Sequence, residues 1–539
     1  MSSRIARSAG LISIATMASR VLGVARETVM AAFFGAGSGP EMDAFNVAFR
    51  VPNLLRDLFA EGAMTAAFVP TFTAALTTRG RESAWRLGNL VINALLIVTS
   101  VLVVLGIVFA RPITRAMASG REFADVPGKL ELTTLLTQLM LPFLTTVAVA
   151  VAMMGMLNSL RRFFVPALSP AMFNVATIAC AVLLGPVMPS LGLPPIAAVA
   201  IGAVAGGLGQ VAVQWVALRR EGYRYRAIVD FGDPELRQIL RLMGPGTLGL
   251  ASVQINVFVN TYLATTQPQG AVSWLNYAFR LMYLPIGLFG VSIATAALPE
   301  IAQHAAAANL PAVRRTLARS LRLMLMLNVP ATIGLIVLAY PIVEVLLERG
   351  RFTPSDTAAT ATALMFYAPG LVGSSIVKIA SPTFYSLRDA RTPVMVSVAT
   401  VAVNLATNLM LVDAMGYRGL ALGTTIATLF NAGMLVWLLQ RRFPDVEDAS
   451  ITTAVLKLLI SSVAMGAAAW LANRELAHLL PSGAAIWKHL DLYLAVRLGI
   501  SIAAGLVILL AAARLLRLAE LDEALDRVLR RRPAAPEAQ

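Results

Sequence analysis

Cysteine, histidine and charge are all scarce in this chain, and each scarcity removes a class of chemistry. The lone cysteine, Cys180, lies inside an apolar segment and reads as a small packed hydrophobe, so a disulfide framework and a thiolate metal cluster are excluded. Three histidines, His304, His478 and His489, are scattered and show no metal-ligand spacing. No G-x-x-x-x-G-K-[ST] loop is present, so ATP cannot be the direct power source. The absence of a G-x-S-x-G nucleophile motif argues against an enzyme, although membrane transferases can keep catalytic acids in loops. No cofactor or metal is expected.

Only 14% of residues are charged, against roughly 25% in a typical soluble domain. Apolar runs of about twenty residues, enough to cross ~30 Å of hydrocarbon, fill the sequence instead. They predict an all-α polytopic membrane protein with fourteen spans near 9–33, 43–70, 86–110, 131–157, 166–187, 195–217, 240–263, 272–300, 322–347, 357–385, 393–412, 418–439, 453–473 and 491–513. The first run carries Arg20 and Arg26, which a cleavable signal peptide would not, so it is expected to remain as a helix.

Net charge is +15, a value that would suggest nucleic acid in a soluble protein. Here the cations sit in alternate short loops: 28 of the 44 Lys and Arg fall on one side and 9 on the other. Positive-inside bias then puts both termini in the cytoplasm, and no nucleic-acid partner is expected.

Residues 46–67 and 276–297 align without gaps at ten of twenty-two positions, among them Asn46, Phe49 and Arg50 against Asn276, Phe279 and Arg280. A second match pairs Ser159-Leu160-Arg161 and Pro166 with Ser386-Leu387-Arg388 and Pro393, at an offset of 227 in place of 230. An offset of six spans predicts two six-helix lobes in parallel repeat, residues 1–218 and 237–440, with a substrate path between them. Two additional helices over 450–516 and a basic tail over 517–539 complete the expected organisation.

Charges inside spans are expensive unless they face a wet cavity or a partner. The first helix aligns Ser13, Thr16, Arg20, Gly23 and Glu27 on one face, flanked by Arg26. The second aligns Asp43, Asn46, Arg50, Asn53, Asp57 and Glu61, flanked by Arg56, and the eighth brings Asn276 and Arg280 one turn apart. These faces either line a cavity or close salt bridges. Asp57 and Glu61 fit pairing, whereas the excess of cation at Arg20, Arg26 and Arg280 fits an open positive cavity. Guanidinium forks suit phosphate. Lys378 in the tenth span is a weaker candidate that could snorkel. Pro52, Pro142, Pro285, Pro330 and Pro369 predict bends, static or hinged.

Several motifs carry a family resemblance: Ser19-Arg20-Val21-Leu22-Gly23 with Ala25-Arg26, Phe34-Gly35-Ala36-Gly37, and Asp43-Ala44-Phe45. They continue in Pro52-Asn53-Leu54-Leu55-Arg56 with Phe59-Ala60-Glu61-Gly62-Ala63, Ser273-Trp274 with Arg280-Leu281-Met282, and Gly350-Arg351-Phe352-Thr353. The chain to about its twelfth span resembles the MurJ/MviN lipid II flippases of the multidrug/oligosaccharidyl-lipid/polysaccharide exporter superfamily. The resemblance implies lipid II, the undecaprenyl-diphosphate peptidoglycan precursor, as cargo, moved to the outer leaflet by alternating access. It implies Arg20, Arg26, Arg56 and Arg280 as cavity residues that hold the diphosphate. Membrane lipids and cell-wall synthesis enzymes follow as candidate partners. Two departures stand out: Phe279 replaces an acid found in some relatives, and Asn404 with Asn408 replaces an acid of the eleventh helix, leaving at most a weak cation site. Other polyprenyl-diphosphate exporters, a cation-coupled drug antiporter and a non-transporting scaffold are the alternatives. Cavity arginines favour neither of the last two.

Overall fold

The structure is a computed structural model and describes residues 2–57, 63–286, 291–442, 448–479 and 492–516. Among these residues the fold is all-helical, without strands, and each helix satisfies its own backbone hydrogen bonds, as hydrocarbon demands. The order begins α1 (Ser2–Phe34), α2 (Glu41–Arg56), α3 (Ala63–Val108), α4 (Ala110–Met117), α5 (Arg121–Ala124), α6 (Lys129–Met140), α7 (Phe143–Ser159), α8 (Phe164–Leu183), α9 (Ala197–Arg220) and α10 (Pro234–Thr265). It continues α11 (Ala271–Pro285), α12 (Val291–Ala306), α13 (Leu310–Val337), α14 (Ala339–Leu347), α15 (Pro354–Tyr367), α16 (Gly370–Ser386), α17 (Arg391–Met415), α18 (Tyr417–Arg442), α19 (Asp448–Leu479) and α20 (Leu492–Leu515).

Nine stretches among the described residues are long and apolar enough to cross a membrane, and the pair α15 and α16, bent by 44°, makes a tenth. The remaining expected spans fall on α1, on α2 with the start of α3, on α10, and on α11 with α12. Three of these four are the spans whose polar faces were singled out above, so their composition dilutes the apolar signal. The sequence-based total of fourteen therefore goes beyond what helix length and apolarity establish here.

The internal repeat is visible in the helix boundaries. Glu41 opens α2 and Ala271 opens α11, at the offset of 230, and each helix ends in a π-type turn, at Asp57 and at Ile286. In the second match α7 and α16 start at Phe143 and Gly370, while α8 and α17 start at Phe164 and Arg391, all at the offset of 227. Pro142 and Pro369 stand at matching breaks, immediately before α7 and α16. Pro52 and Pro330 sit inside α2 and α13, and Pro285 closes α11. Gly80 interrupts α3 with φ 81° and ψ −177°, a conformation for which only glycine is suited, and this divides the second expected span from the third.

Two compact units emerge. The first comprises Met1–Trp274 with Leu347–Asp356. Its core joins Phe68, Phe72, Phe143, Met153, Met156 and Tyr223. α10, assigned by the sequence to the second lobe, packs on α3 within this unit. The segment after α9 is strapped along α3: Tyr223 and Tyr225 donate to Asn89 and Asn93 at 2.6 Å, and Asn93 donates to the carbonyls of Arg226 and Ile228. Burial, reinforced by Tyr225, pushes the Tyr223 phenol well above its ordinary pKa.

The second unit comprises Leu275–Leu346 with Thr357–Gln539. Its main core unites Ile301, Val313, Met324, Ile379, Phe384 and Leu435. α19 packs on α13 and on α20, and a buried ion pair at 3.0 Å joins Arg497 of α20 to Glu344 of α14.

Candidate functional site

The polar face of α1 packs on α8. Asn174 of α8 donates to the Ser19 carbonyl at 3.1 Å, holding α1 beside the turn that carries Arg20. Arg20 is half-buried and forms no ion pair or hydrogen bond among the described residues. Arg26 is differently placed. Its guanidinium pairs with the neighbouring Glu27 carboxylate and lies 5.1 Å from the centre of the Phe173 ring, a cation–π contact. Glu27 itself is buried.

On α2, Arg56 pairs with the adjacent Asp57 at 2.9 Å, and Gln254 of α10 donates to the other carboxylate oxygen at 3.4 Å. Asp57 is thus paired on both carboxylate oxygens, with its side chain still partly exposed. Arg50 is half-buried on the same helix. The side-chain oxygen of Asn53 is buried with no hydrogen-bond partner among the described residues. Glu61 lies outside the described residues.

Asp43 anchors a network that no local sequence signal announced. One carboxylate oxygen accepts from Lys129 at 3.0 Å and from the Gly270 amide at 2.8 Å. The other accepts from the Ser273 amide and hydroxyl at 3.0 and 2.6 Å, and Asn46 donates to that hydroxyl at 3.2 Å. Lys129, fully buried, also lies 4.3 Å from the Phe123 ring. A second carboxylate repeats the pattern nearby: Asp356 accepts from the Gly37 amide and the Trp274 indole, both at 2.8 Å, and from Thr353. Arg351 pairs with Glu41 at 3.0 Å. Gly350 has φ 57°, and an added Cβ would overlap the Ala32 carbonyl.

The repeat offered the signal. Position 43 shifted by 230 is Ser273, and position 129 shifted by 227 is Asp356: Asp43 bonds its own repeat counterpart, and Asp356, the counterpart of Lys129, bonds the adjacent Trp274. Ser273-Trp274 and Gly350-Arg351 had been noted as motif residues only.

In the second unit, Asn276 and Arg280 lie half-buried on α11. Phe279 packs against Tyr283 and Tyr367, with ring centres 4.7 and 5.5 Å apart. The position where some relatives carry an acid therefore belongs to an aromatic cluster. Lys378 is half-buried on α16. Asn408 donates to Asn404 at 3.1 Å with both side chains buried, so the amide pair serves the close contact of α17 with α18 at Gly423. Among the described residues no group of three or more His, Cys, Asp or Glu side chains is disposed to hold a metal ion.

The family model described as lipid II flippase MurJ matches residues 30–487. The chain belongs to the MurJ family. Among curated relatives, a probable lipid II flippase MurJ of Rhizobium meliloti is 36% identical over 473 residues, 87% of each chain. The lipid II flippase MurJ of Burkholderia cenocepacia is 33% identical, covering 79% of this chain and 82% of its own. In three dimensions the chain is similar to lipid II flippase MurJ solved in an inward closed conformation, with a TM-score of 0.74 at 24% identity, covering 94% and 99% of the two chains. It is also similar to an inward-facing multidrug-resistance transporter of the MATE family, with a TM-score of 0.63 at 17% identity, covering 80% and 98%. These two likenesses show the shared fold. MurJ membership places the chain among flippases and not among enzymes.

Proposed function

We propose that this protein is a lipid II flippase of the bacterial inner membrane, with both termini cytoplasmic. It carries the undecaprenyl-diphosphate-linked peptidoglycan precursor from the cytoplasmic to the outer leaflet by alternating access between two six-helix lobes. The observation that carries this reading is Arg20: a permanently charged guanidinium, half-buried in an apolar helix, with no ion pair among the described residues. Such a charge is too costly at membrane depth to persist without a wet cavity or an anionic ligand.

Arg20, Arg26, Arg280 and Arg56 hold the diphosphate in this scheme. Charge-assisted, bidentate geometry favours a doubly ionised pyrophosphate over a single neutral hydroxyl. The polyprenyl tail stays in lipid, along the last two helices. Cell-wall synthesis enzymes are the expected neighbours. A cation-coupled antiporter would need acids free to take its cation; Asp43 is buried against Lys129, and Asp57, though partly exposed, is already paired with Arg56 and Gln254.

Purified protein titrated with lipid II and with undecaprenyl phosphate, followed by native mass spectrometry, tests the proposal. Arg20→Ala, Arg26→Ala and Arg280→Ala should each weaken a preference for lipid II in folded protein. Equal binding of both lipids, insensitive to all three substitutions, would overturn it.

A further inference from the structure

A cavity of about 150 Å³ opens in the second unit, and none of Arg20, Arg26, Arg56 and Arg280 lines it. One face of α13 supplies Arg314, Leu317, Ala318, Leu321, Arg322 and Leu325. Val436, Leu439 and Gln440 of α18 form the facing wall, and Ile376 of α16 lies between. α16 packs on both α13 and α18, which makes it the floor of a groove between those two helices. The walls are aliphatic; among the described residues the polar lining groups are Arg314, Arg322 and Gln440, with no acid beside them.

Depth follows from length. With 28 residues, α13 extends about 42 Å, so one end projects beyond a ~30 Å hydrocarbon layer. Arg314 lies in the first turns of that helix and Arg322 two turns further in, where the expected ninth span begins. On α18, Arg441 lies 3.8 Å over the Trp437 ring, and Trp437 is 43% exposed. A tryptophan with an arginine on its face is the side-chain pair of a headgroup boundary. Arg314 makes no ion pair among the described residues.

We propose that this groove is a binding site for one anionic phospholipid. An acyl chain lies along Leu321, Leu325, Ile376 and Val436, and the phosphate sits at Arg314, Arg322 and Gln440. None of the arginines proposed to hold the cargo lines this groove.

Native mass spectrometry of the full chain with dioleoylphosphatidylglycerol and with dioleoylphosphatidylcholine decides the matter. The anionic lipid should bind about thirtyfold more tightly, as two interfacial arginines predict. Arg314→Gln combined with Arg322→Gln should abolish that preference, and Ala318→Trp should block the groove for both lipids. Arg314→Gln alone, a change at the rim, should reduce the preference even where the bulkier variant fails to fold. Arg224→Gln with Arg226→Gln, on the exposed strap of the first unit, should change nothing. Equal affinity for the two lipids would overturn the site. So would a preference that survives the α13 substitutions, or one lost equally in the strap variant.

Discussion

Lys129 and Asp43 form an ion pair at 3.0 Å with both side chains almost wholly removed from the surface, 1% and 2% exposed. Desolvation of such a pair is offset only when the remaining valences are filled, as Gly270 and Ser273 do for Asp43. Removing one partner strands the other charge. Lys129→Met should therefore destabilise the protein by about 3–5 kcal/mol, read as a fall in Tm. The double change Lys129→Met with Asp43→Asn should recover much of that loss. A double variant as unstable as the sum of the two single ones would show that the pair is not coupled.

Gly350 is confined by its backbone, at φ 57°, and by the Ala32 carbonyl against which a Cβ would press. The Arg351 amide donates to that same carbonyl at 2.9 Å, so the turn cannot simply move away. Gly350→Ala should cost about 1–3 kcal/mol. A thermal-melt comparison with Gly433→Ala, where an added methyl meets open space, separates this strain from a general loss of glycine.

Arg161 and Arg388 occupy the left-handed region at φ 60° and 59°, at matching positions of the two repeats. Each closes a Schellman turn. Arg162 N donates to Leu157 and Arg161 N to Asn158, while Asp389 N donates to Phe384 and Arg388 N to Tyr385. Glycine would suit the backbone better; arginine instead places a cation at a helix C-terminus on the cation-rich side. Replacing either by glycine should leave stability unchanged or raise it by up to ~1 kcal/mol, whereas valine should lower it by about 1–2 kcal/mol. Parallel melts of the four variants check both signs.

Asp389 caps the start of the helix that follows. The Thr392 amide and hydroxyl donate to its carboxylate at 3.1 and 2.9 Å, and Arg442 pairs with it at 2.9 Å. These contacts, the Thr392 hydrogen bonds foremost, hold the carboxyl below its ordinary pKa. A carboxyl depressed in the folded state stabilises above its unfolded pKa and loses that contribution as pH falls through the folded value. Asp389→Ala should thus lower Tm at neutral pH, and the gap to the parent protein should close below roughly pH 4. A gap independent of pH would mean that charge is not involved.

Much of this architecture was legible because membrane helices obey two strong rules, a minimum apolar length and a cation bias. The repeat was legible because Asn46, Phe49 and Arg50 recur as Asn276, Phe279 and Arg280, and helix starts then coincide at its offsets. Lys129 as the partner of Asp43 was not legible. The two stand 86 positions apart, and Lys129 fell in a stretch read as the edge of a loop. Gly270 and Ser273 contribute backbone amides, which leave no mark in composition. Nor did the pattern show that α10 packs on α3, because hydropathy reports depth and says nothing of neighbours.

Arg20 and Arg26 stand on one helix but should answer substitution differently. Arg26 has a carboxylate and an aromatic face to satisfy, so Arg26→Ala removes structure along with charge: it strips a cation from buried Glu27 and the contact with Phe173. Arg20 has no such ties among the described residues. Arg20→Ala should leave Tm unchanged or slightly raised while reducing lipid II affinity about tenfold or more, the value of one charge-assisted contact. Arg20→Lys should restore only part of that affinity, because an ammonium keeps the charge and loses the planar fork that grips a phosphate. Arg26→Ala should lower both affinity and Tm. If Arg20→Ala instead lowered Tm and left lipid II binding intact, Arg20 would be a structural residue and the diphosphate would have to be held elsewhere.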